Sequence, residues 1–302
     1  NGDRYYSGFI MSSNCSNAVL AVDGGGTRCR VAWASNGQIV SVETGPANAM
    51  TDTEGAVRAV VDGIKLLSAK TSISLEELFK LPTFVGLAGV TDDEVRSALQ
   101  KKLPFKRAQV EDDRPAAIRG ALGTSNGVLA HCGTGSFYGV HRDGRVQLAG
   151  GWGPIVGDEA SGYWIGLMAL RMSLEWDDGR RRSTPLLEAL HSEFGGGSGI
   201  VRFAGKATPS EIGALAQRVT ERLAAEDEAS IEVMCRGASK LSRSVQKLGF
   251  ETGDVLCLTG GVGPCYVPFM GEDLLVALEE PIGAPLDGAI ALALDYAEGT
   301  NQ

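Results

Sequence analysis

Apolar and polar positions alternate in short blocks along the chain, and these blocks predict a regular series of strands and helices. The first block, residues 18–22, is wholly apolar and is closed by Asp23 and three glycines, which is typical of a buried strand that ends in a turn. Apolar residues recur at helical spacing over 53–69, after the capping-type residues Thr51 and Asp52. Further blocks of these kinds predict strands over 28–35, 38–43, 83–87, 108–111, 127–132, 137–141, 146–149 and 255–259, and helices over 92–102, 114–122, most of 160–248 and the segment after Asp287.

The opening pattern recurs in the second half of the chain. A strand runs into a Gly-Thr-Gly-Ser turn there, and Asp143-Gly144 then predicts a hairpin, as Asn36-Gly37 does in the first half. This repetition indicates two copies of one hairpin-led α/β unit. The length of 302 residues, about twice the usual domain size, agrees with it. We therefore predict two α/β domains with mixed sheets flanked by helices, over 18–117 and 118–302. The second domain would carry a helical insertion, and the last helix is expected to pack on the first domain.

Several features bear on where the protein works. Residues 1–17 are polar and are expected to be a disordered arm or a cloning remnant. No apolar stretch approaches the ~20 residues that a membrane span needs, and the first residues lack a charged-then-apolar signal pattern. The six cysteines are scattered, without metal-ligand spacing to the three histidines, which predicts buried thiols in a reducing compartment. These features predict a cytoplasmic protein with no membrane partner.

The charge of the chain argues against nucleic acid as a partner. The net charge is −9, and the densest basic run is Arg180-Arg181-Arg182. Because a nucleic-acid backbone repels an acidic protein, we expect this run to cap or solvate a loop instead.

Glycine, at 41 of 302 residues, is clustered in a way that indicates turns where the backbone approaches a ligand. One cluster is Asp23-Gly24-Gly25-Gly26-Thr27, between two predicted strands. Successive backbone N–H groups of this turn, with the Thr27 hydroxyl, would converge on an anion. Asp23 would hold Mg²⁺, usually through water. Gly133-Thr134-Gly135-Ser136 has the equivalent place in the second unit, so the two turns together would bind a polyphosphate, although a plain tight hairpin explains either turn alone.

With these turns the chain resembles the superfamily of acetate and sugar kinases, heat-shock chaperones and actin. Within it, the chain is most similar to the N-acetylglucosamine kinase and BadF/BadG/BcrA/BcrD ATPase family, from about Val19 to the C-terminal helix. The most specific part is residues 150–165, GGWGPIVGDEASGYWI, which resembles the sugar-binding stretch of N-acetylglucosamine kinases almost letter for letter. Residues 260–263 are similar to that family's adenosine turn. The resemblance implies two RNase H-like, actin-like ATPase domains with the active site in the cleft between them.

The resemblance also implies roles for individual residues. Contacts with ATP would come from Gly24, Gly25, Gly26, Thr27, Gly133, Thr134, Gly135, Gly213, Gly260 and Gly261. Contacts with a sugar would come from Asn48, Asp113, Gly151, Trp152, Gly153 and Asp158, with Asp113 as the general base.

Structural alternatives remain for the main side chains of this set. Asp112 or Asp113 would also serve as the N-cap of a helix that starts at Arg114-Pro115. Asp158-Glu159 opens the next predicted long helix, so capping would explain either carboxylate, and Trp152 would fit a core position.

The resemblance implies an ATP- and Mg²⁺-dependent kinase for the 6-hydroxyl of N-acetyl-D-glucosamine or D-glucosamine, acting as a homodimer. Muramic-type amino sugars stay open as substrates. Two other functions also stay open, namely an ATPase that activates a radical dehydratase through an iron–sulfur cluster shared between subunits, and a non-catalytic sensor or actin-like scaffold.

Overall fold

The computed structural model describes residues 18–299, so the segment 1–17, expected to be a disordered arm or a cloning remnant, lies outside the described residues. The described chain divides into two compact units by its backbone contacts. The first unit consists of two parts of the chain, the part up to Thr124 and the part from Pro281 onward. The second unit spans Ser125–Glu280.

The secondary structure follows the predicted order of strands and helices closely. The strands are β1 (Val19–Gly24), β2 (Cys29–Ser35), β3 (Gln38–Thr44), β4 (Pro82–Leu87), β5 (Arg107–Glu111), β6 (Gly127–Cys132), β7 (Ser136–Arg142), β8 (Arg145–Gly150) and β9 (Val255–Thr259). The α-helices are α1 (Thr53–Thr71), α2 (Leu75–Leu78), α3 (Asp93–Lys102), α4 (Arg114–Leu122), α5 (Gly162–Asp177), α6 (Pro185–Phe194), α7 (Gly197–Ala204), α8 (Pro209–Ala214), α9 (Ala216–Glu221), α10 (Glu228–Lys247), α11 (Glu272–Leu275) and α12 (Pro285–Glu298). Short 3-10 segments cover Leu223–Ala225 and Gly263–Phe269.

The first unit is a five-stranded mixed sheet in the order β3-β2-β1-β4-β5. β1 is apolar from Val19 to Val22 because both of its faces are covered there. Leu20 and Val22 pack in one core with residues of α1, whereas Val19 and Ala21 pack on the other face with residues of α4 and α12. The α12 helix comes from the end of the chain and lies against α4 so closely that a side chain at Gly288 would overlap the carbonyl oxygen of Ala116. The last helix thus packs on the N-terminal sheet, and the boundary predicted after residue 117 falls within α4, which the first unit keeps whole.

The second unit repeats the arrangement with a four-stranded sheet in the order β8-β7-β6-β9. As in the first unit, a hairpin pair leads the sheet and the opening strand pairs in parallel with a later one. Val128, Ala130 and Cys132 of β6 face a core that residues of α5 and α10 complete. Two mixed sheets flanked by helices confirm the predicted α/β class, and the matching strand orders agree with an internal repeat.

The long helix of the second unit does not begin where the sequence predicts. Asp158 and Glu159 lie in a loop, and α5 starts at Gly162 with Ser161 as its N-cap, whose side chain accepts a hydrogen bond from the Trp164 N–H at 3.1 Å. The capping alternative for Asp158-Glu159 is therefore wrong.

The cysteines follow the prediction only in part. Cys29, Cys132 and Cys257 are buried thiols, but Cys235 on α10 is exposed and Cys265 is half-buried. The prediction of a buried thiol is wrong for Cys235, because this residue lies on the solvent side of the amphipathic helix α10. The prediction considered only the spacing of the cysteines and not the side of the helix on which each one lies. Within residues 18–299, no helix is both long and apolar enough to cross a bilayer.

Candidate active site

The first glycine turn joins β1 to β2 in the first unit. Gly24 is buried, and a Cβ there would overlap Leu87 and lie 3.0 Å from the Cβ of Ala47, so this glycine is required by packing. The Gly25 N–H donates to the carbonyl of Arg28 at 2.9 Å and closes the turn. This donor is therefore taken, and the prediction that the N–H groups of all three glycines face an anion is wrong for Gly25. Within the described residues, the N–H groups of Gly26 and Thr27 at the exposed tip have no protein acceptor, and they are the donors left for a ligand.

Asp23 is at the end of β1, beside this turn. Its side chain is 13% exposed and lies 3.8 Å from the Arg30 guanidinium of β2. Burial raises the pKa of Asp23, and the positive charges of Arg30 and Arg28 lower it to a smaller extent. Within residues 18–299, no three or more His, Cys, Asp and Glu side chains converge on a common point as metal ligands. Because Mg²⁺ at nucleotide sites commonly takes one or two carboxylates with waters and phosphate oxygens, Asp23 fits a water-mediated ion rather than an all-protein cage.

The two carboxylates that follow β5 have different partners. Asp112 accepts a hydrogen bond from the Arg114 N–H at 3.0 Å and also binds the Arg114 guanidinium, so it caps the start of α4. Asp113 occupies the formal N-cap position, but its side chain makes no capping hydrogen bond. Gly86 of β4 lies beside this segment, since a Cβ there would be 3.4 Å from the Asp113 Cα. The structure thus gives Asp112 the capping role and leaves the Asp113 carboxylate available for chemistry.

The surroundings of Asp113 favour its protonated form. Burial is the main cause and, with the negative charges of Asp112 and Asp23, raises the pKa of Asp113 to about 7, against a smaller opposing effect of Arg114. A carboxyl group with a pKa near neutrality is well matched to accepting a proton from a hydroxyl group at physiological pH.

This pKa predicts a pH-dependent stability difference between the protein and an Asp113→Asn variant. The folded protein keeps the Asp113 proton up to about pH 7, whereas the unfolded chain loses it near pH 3.8, so stability falls as the pH rises through this window. The asparagine cannot ionise and escapes this loss. We expect the free energy of unfolding of the variant, relative to the wild type, to rise by about 2–4 kcal/mol from pH 4 to pH 8 in chemical denaturation. A difference that stays constant with pH would show that Asp113 ionises as readily in the folded as in the unfolded chain.

Asn48 is held next to the first turn by backbone pairing. Its segment forms a parallel bridge with Ala88, and the Ala88 N–H in turn donates to the Gly24 carbonyl at 2.7 Å. The Asn48 Oδ1 accepts from the Met50 N–H at 3.0 Å and from the Thr51 N–H at 3.2 Å. The side-chain oxygen of Asn48 is thus engaged within the loop, and the side-chain NH₂ group is the part available to donate to a ligand.

The second glycine turn, between β6 and β7, has the same design. The Gly133 N–H donates to the Gly135 carbonyl at 2.9 Å and closes the turn, so this donor too is taken. Thr134 is at the exposed tip, and within the part of the chain that the structure describes the N–H groups of Thr134 and Gly135 have no protein acceptor. Two N–H donors and a threonine hydroxyl are again left for an anion.

The second turn is enclosed by residues from distant parts of the chain, among them two that were predicted to contact ATP. The Gly162 and Tyr163 N–H groups at the start of α5 donate to the carbonyls of Gly133 and Thr134 at 2.7 and 3.1 Å. Gly213 of α8 lies beside Thr134, since a Cβ there would be 3.4 Å from the Thr134 Cγ2. Gly260, after β9, has a φ of +80° and packs on the backbone that enters the turn. The structure therefore brings Gly213 and Gly260 to the turn, whereas Gly261 beside it has open space around it.

Asp158 is joined to the same turn. It is 8% exposed, and its Oδ1 lies 3.3 Å from the Ser136 N–H while its Oδ2 lies next to Gly135. Burial raises the pKa of Asp158, and hydrogen bonds from the Ser136 and Gly153 N–H groups lower it to a smaller extent. Its φ of +57° is uncommon for a residue other than glycine. The carboxylate thus ties the loop around Trp152 to the second glycine turn, and only its remaining lone pairs are left for a ligand.

Removing this carboxylate is expected to destabilise the second unit. Asp158→Ala leaves the Ser136 and Gly153 N–H groups without their acceptor, so we expect the free energy of unfolding to fall by about 1–3 kcal/mol. The control is Glu159→Ala, which removes an exposed carboxylate from the next position and should change stability by no more than about 0.5 kcal/mol. Equal denaturation midpoints for the two variants would contradict this role of Asp158.

The loop around Trp152 is exposed and apolar. Trp152 is 75% exposed, and Ile155 and Val156 of the same loop are exposed as well, so Trp152 is not a core residue. Gly151 and Gly153 on either side of it have φ values of +72° and +83°, which only glycine adopts readily. Large apolar side chains grouped in one exposed loop are typical of a surface that binds a ligand or another protein.

Two residues at the second turn, Ser136 and His131, were assigned no individual role from the sequence. The Ser136 hydroxyl donates to the Glu159 carbonyl at 2.7 Å and holds the same loop as Asp158. His131 lies at the end of β6, with Nε2 directed at Gly133. The alignment of the two repeats could have found His131, because it has the same place in β6 as Asp23 has in β1.

A comparison with protein families places these residues in a known group. The model of the BadF/BadG/BcrA/BcrD ATPase family matches residues 20–290. The chain belongs to this family. The resemblance noted in the sequence is thereby confirmed.

Curated relatives of this ATPase-family protein include named sugar kinases. The glucosamine kinase GspK of Vibrio cholerae is 26% identical over 282 residues, which are 92% of this chain and 96% of that protein. The N-acetylmuramic acid/N-acetylglucosamine kinase of Clostridium acetobutylicum is 31% identical over 176 residues, 56% of this chain and 57% of that protein.

Solved structures agree with the fold. A candidate N-acetylglucosamine kinase from Chromobacterium violaceum has a TM-score of 0.80 and 25% identity, over 92% of this chain and 99% of that one. A ROK family glucokinase from Streptomyces griseus, solved with glucose and AMPPNP, has a TM-score of 0.56 and 17% identity, over 92% of this chain and 99% of that one. The second likeness shows that the fold is shared.

Proposed function

We propose that the protein is an ATP-dependent kinase that phosphorylates the 6-hydroxyl of an amino sugar, N-acetyl-D-glucosamine or D-glucosamine. The observation that carries the proposal is the Asp113 carboxyl group, which has no capping partner and a pKa raised to about 7, in the same unit as a glycine turn with unpaired N–H donors. The names of the relatives supply the substrate class, since they are kinases of glucosamine, N-acetylmuramic acid and N-acetylglucosamine.

In the proposed reaction, Asp113 is the general base. The ionised carboxylate accepts the proton of the sugar 6-hydroxyl as that oxygen bonds to the γ-phosphorus of ATP, and the bond from this phosphorus to the β,γ-bridging oxygen breaks. The products are the sugar 6-phosphate and ADP, and the proton stays on Asp113 until it passes to water. The raised pKa supports this role because the carboxylate is basic enough to accept the proton and is still ionised in part at neutral pH.

The polyphosphate would be bound by the donors at the two turn tips. Within the described residues, the N–H groups of Gly26, Thr27, Thr134 and Gly135 have no protein acceptor, and backbone donors add no bulk, so they suit phosphate oxygens. Mg²⁺, which would bind near Asp23 through water, would supply charge neutralisation on the phosphates. The Gly213 and Gly260 backbone at the second turn would lie near the nucleoside, as the resemblance implies.

The sugar would be bound by a mixed apolar and polar set. Trp152 offers an exposed planar ring for the apolar face of a pyranose. Gly151 and Gly153 on either side of it have positive φ values, which other residues rarely adopt, and they set the position of the ring. The Asn48 amide would donate to one hydroxyl, and the free lone pairs of Asp158 would accept from another. A homodimer and a cytoplasmic location stay predictions from the resemblance.

The test is ADP release with MgATP over a panel of glucosamine, N-acetylglucosamine, N-acetylmuramic acid and glucose, and with no sugar. We expect turnover with at least one amino sugar, and the ³¹P and ¹³C spectra of the product should place the phosphate on carbon 6. The 6-deoxy form of the accepted sugar is the matched control and should give no product. ADP release that no sugar stimulates, or a brown protein that contains iron and sulfide, would falsify the kinase proposal and favour an ATPase activator.

A further inference from the structure

The fifth residue of the strand that leads into the glycine turn differs in charge between the two units. β1 and β6 have the same burial pattern, in which only the fifth residue is partly accessible, and this residue is Asp23 in β1 and His131 in β6. Each lies opposite the parallel neighbour of its own strand, Asp23 opposite Gly86 and His131 opposite Thr259. The internal repeat therefore gives His131 the position at the second turn that the candidate metal-binding residue has at the first.

The imidazole ring of His131 is held in one orientation by two contacts. Its Nδ1 lies 3.0 Å from the Thr259 Oγ1 of the neighbouring strand. Its ring stacks on Phe137 of β7, with centroids 5.1 Å apart and an angle of 24° between the planes. A side chain that is fixed by both neighbouring strands loses little further entropy when it binds a ligand.

The other ring nitrogen points at the phosphate turn. A Cβ built on Gly133 would lie 3.0 Å from the His131 Nε2, and no protein partner for this nitrogen is found within residues 18–299. Burial lowers the pKa of His131, so the ring is neutral at physiological pH. When the Thr259 hydroxyl donates to Nδ1, the single ring proton is on Nε2, which makes this nitrogen a donor directed at the turn.

We propose that His131 is a phosphate-binding residue, and that its Nε2–H donates a hydrogen bond to the phosphate chain of a nucleotide bound at the Gly133–Ser136 turn. The inference rests on one part of the proposed function, the binding of a nucleotide at this turn, and is independent of the sugar. The Nε2–H of His131 would thus be a third donor to the same phosphate, beside the N–H groups of Thr134 and Gly135. It would approach the phosphate from the end of β6.

The test compares two variants by titration calorimetry with the magnesium complex of a non-hydrolysable ATP analogue. His131→Phe keeps an aromatic ring for the stack on Phe137 but has no donor, so we expect the analogue to bind about 10- to 100-fold more weakly. His131→Gln has an amide nitrogen near the place of Nε2 and should restore most of the affinity. His141→Gln, which replaces a buried histidine whose Nδ1 lies 2.8 Å from the Ser125 carbonyl on the same sheet, is the control and should bind as the wild type does.

Binding of adenosine separates a lost hydrogen bond from a distorted turn, because adenosine has no phosphate. We expect His131→Phe to bind adenosine as the wild type does. A second readout is the imidazole NMR signal of His131 in the wild type, which should shift with the ATP analogue and not with adenosine.

The outcomes distinguish this inference from the kinase proposal. If the wild type binds the analogue and His131→Phe binds it equally well, or loses adenosine to the same extent, the inference is overturned. If the wild type binds nucleotide with this loss in His131→Phe but phosphorylates no sugar, the kinase proposal fails and the role of His131 stands. If the wild type binds no nucleotide, both are overturned.

Discussion

Replacement of Asp113 by asparagine is expected to lower kcat for sugar phosphorylation by about 100- to 10,000-fold, with little change in the affinity for the ATP analogue. The asparagine keeps the shape of the side chain but cannot accept the proton of the sugar hydroxyl. Because Asp113 makes no capping hydrogen bond, its loss should not disturb α4. Steady-state kinetics with the preferred sugar would measure the loss, and calorimetry would check that nucleotide binding is kept.

The neighbouring carboxylate provides the control for this prediction. Asp112→Asn keeps an oxygen for the Arg114 N–H and loses only the ion pair with the Arg114 guanidinium, so kcat should fall by less than about 10-fold. If the two variants lost activity in the opposite order, Asp112 would be the base and the assignment made from the hydrogen bonds would be wrong.

Replacement of Gly260 by alanine is expected to destabilise the second unit by about 2–4 kcal/mol and to abolish measurable nucleotide binding. Gly260 has a φ of +80°, and a Cβ there would overlap the Cys132 carbonyl and lie 2.7 Å from the Gly133 nitrogen. The Cys132 carbonyl also accepts a hydrogen bond from the Val262 N–H at 3.0 Å, so it cannot move without breaking that contact. Relief of the overlap must then displace Gly133, at the start of the phosphate turn.

The next glycine is a matched control for the same substitution. A Cβ on Gly261 would have no heavy atom within 4 Å, and Gly261 has no positive φ. Gly261→Ala should therefore keep the thermal midpoint of the wild type. Equal thermal midpoints for the two alanine variants would contradict the close packing of Gly260 on the turn.

Much of the fold follows from signals that are local in the chain. The Asn36-Gly37 and Asp143-Gly144 turns both have a positive φ at each residue, as the hairpin type requires, and the strands they join are present. The apolar run of β1 predicts a strand covered on both faces, and the structure confirms it with separate cores on its two sides.

The prediction failed where a contact from far along the chain decides the local conformation. The sequence around Asp158 reads as a helix start, yet Asp158 and Ala160 have φ values of +57° and +62°, which prevent a helix from forming there. Asp158 accepts a hydrogen bond from the N–H of Ser136 in β7, and the Ser136 hydroxyl donates to the Glu159 carbonyl. No local pattern encodes those two bonds.

The sequence by itself determined the repeat of two hairpin-led units, the glycine turns after β1 and β6 and the membership in the ATPase family, because each depends on residues that are close together in the chain. Only the tertiary structure decided which carboxylate of the Asp112-Asp113 pair is engaged, which N–H groups of the turns are left for a ligand, and that Trp152 is exposed. The physical reason is that a hydrogen-bond partner or a covered surface depends on which distant segments lie alongside, and these segments meet only when the sheets have formed.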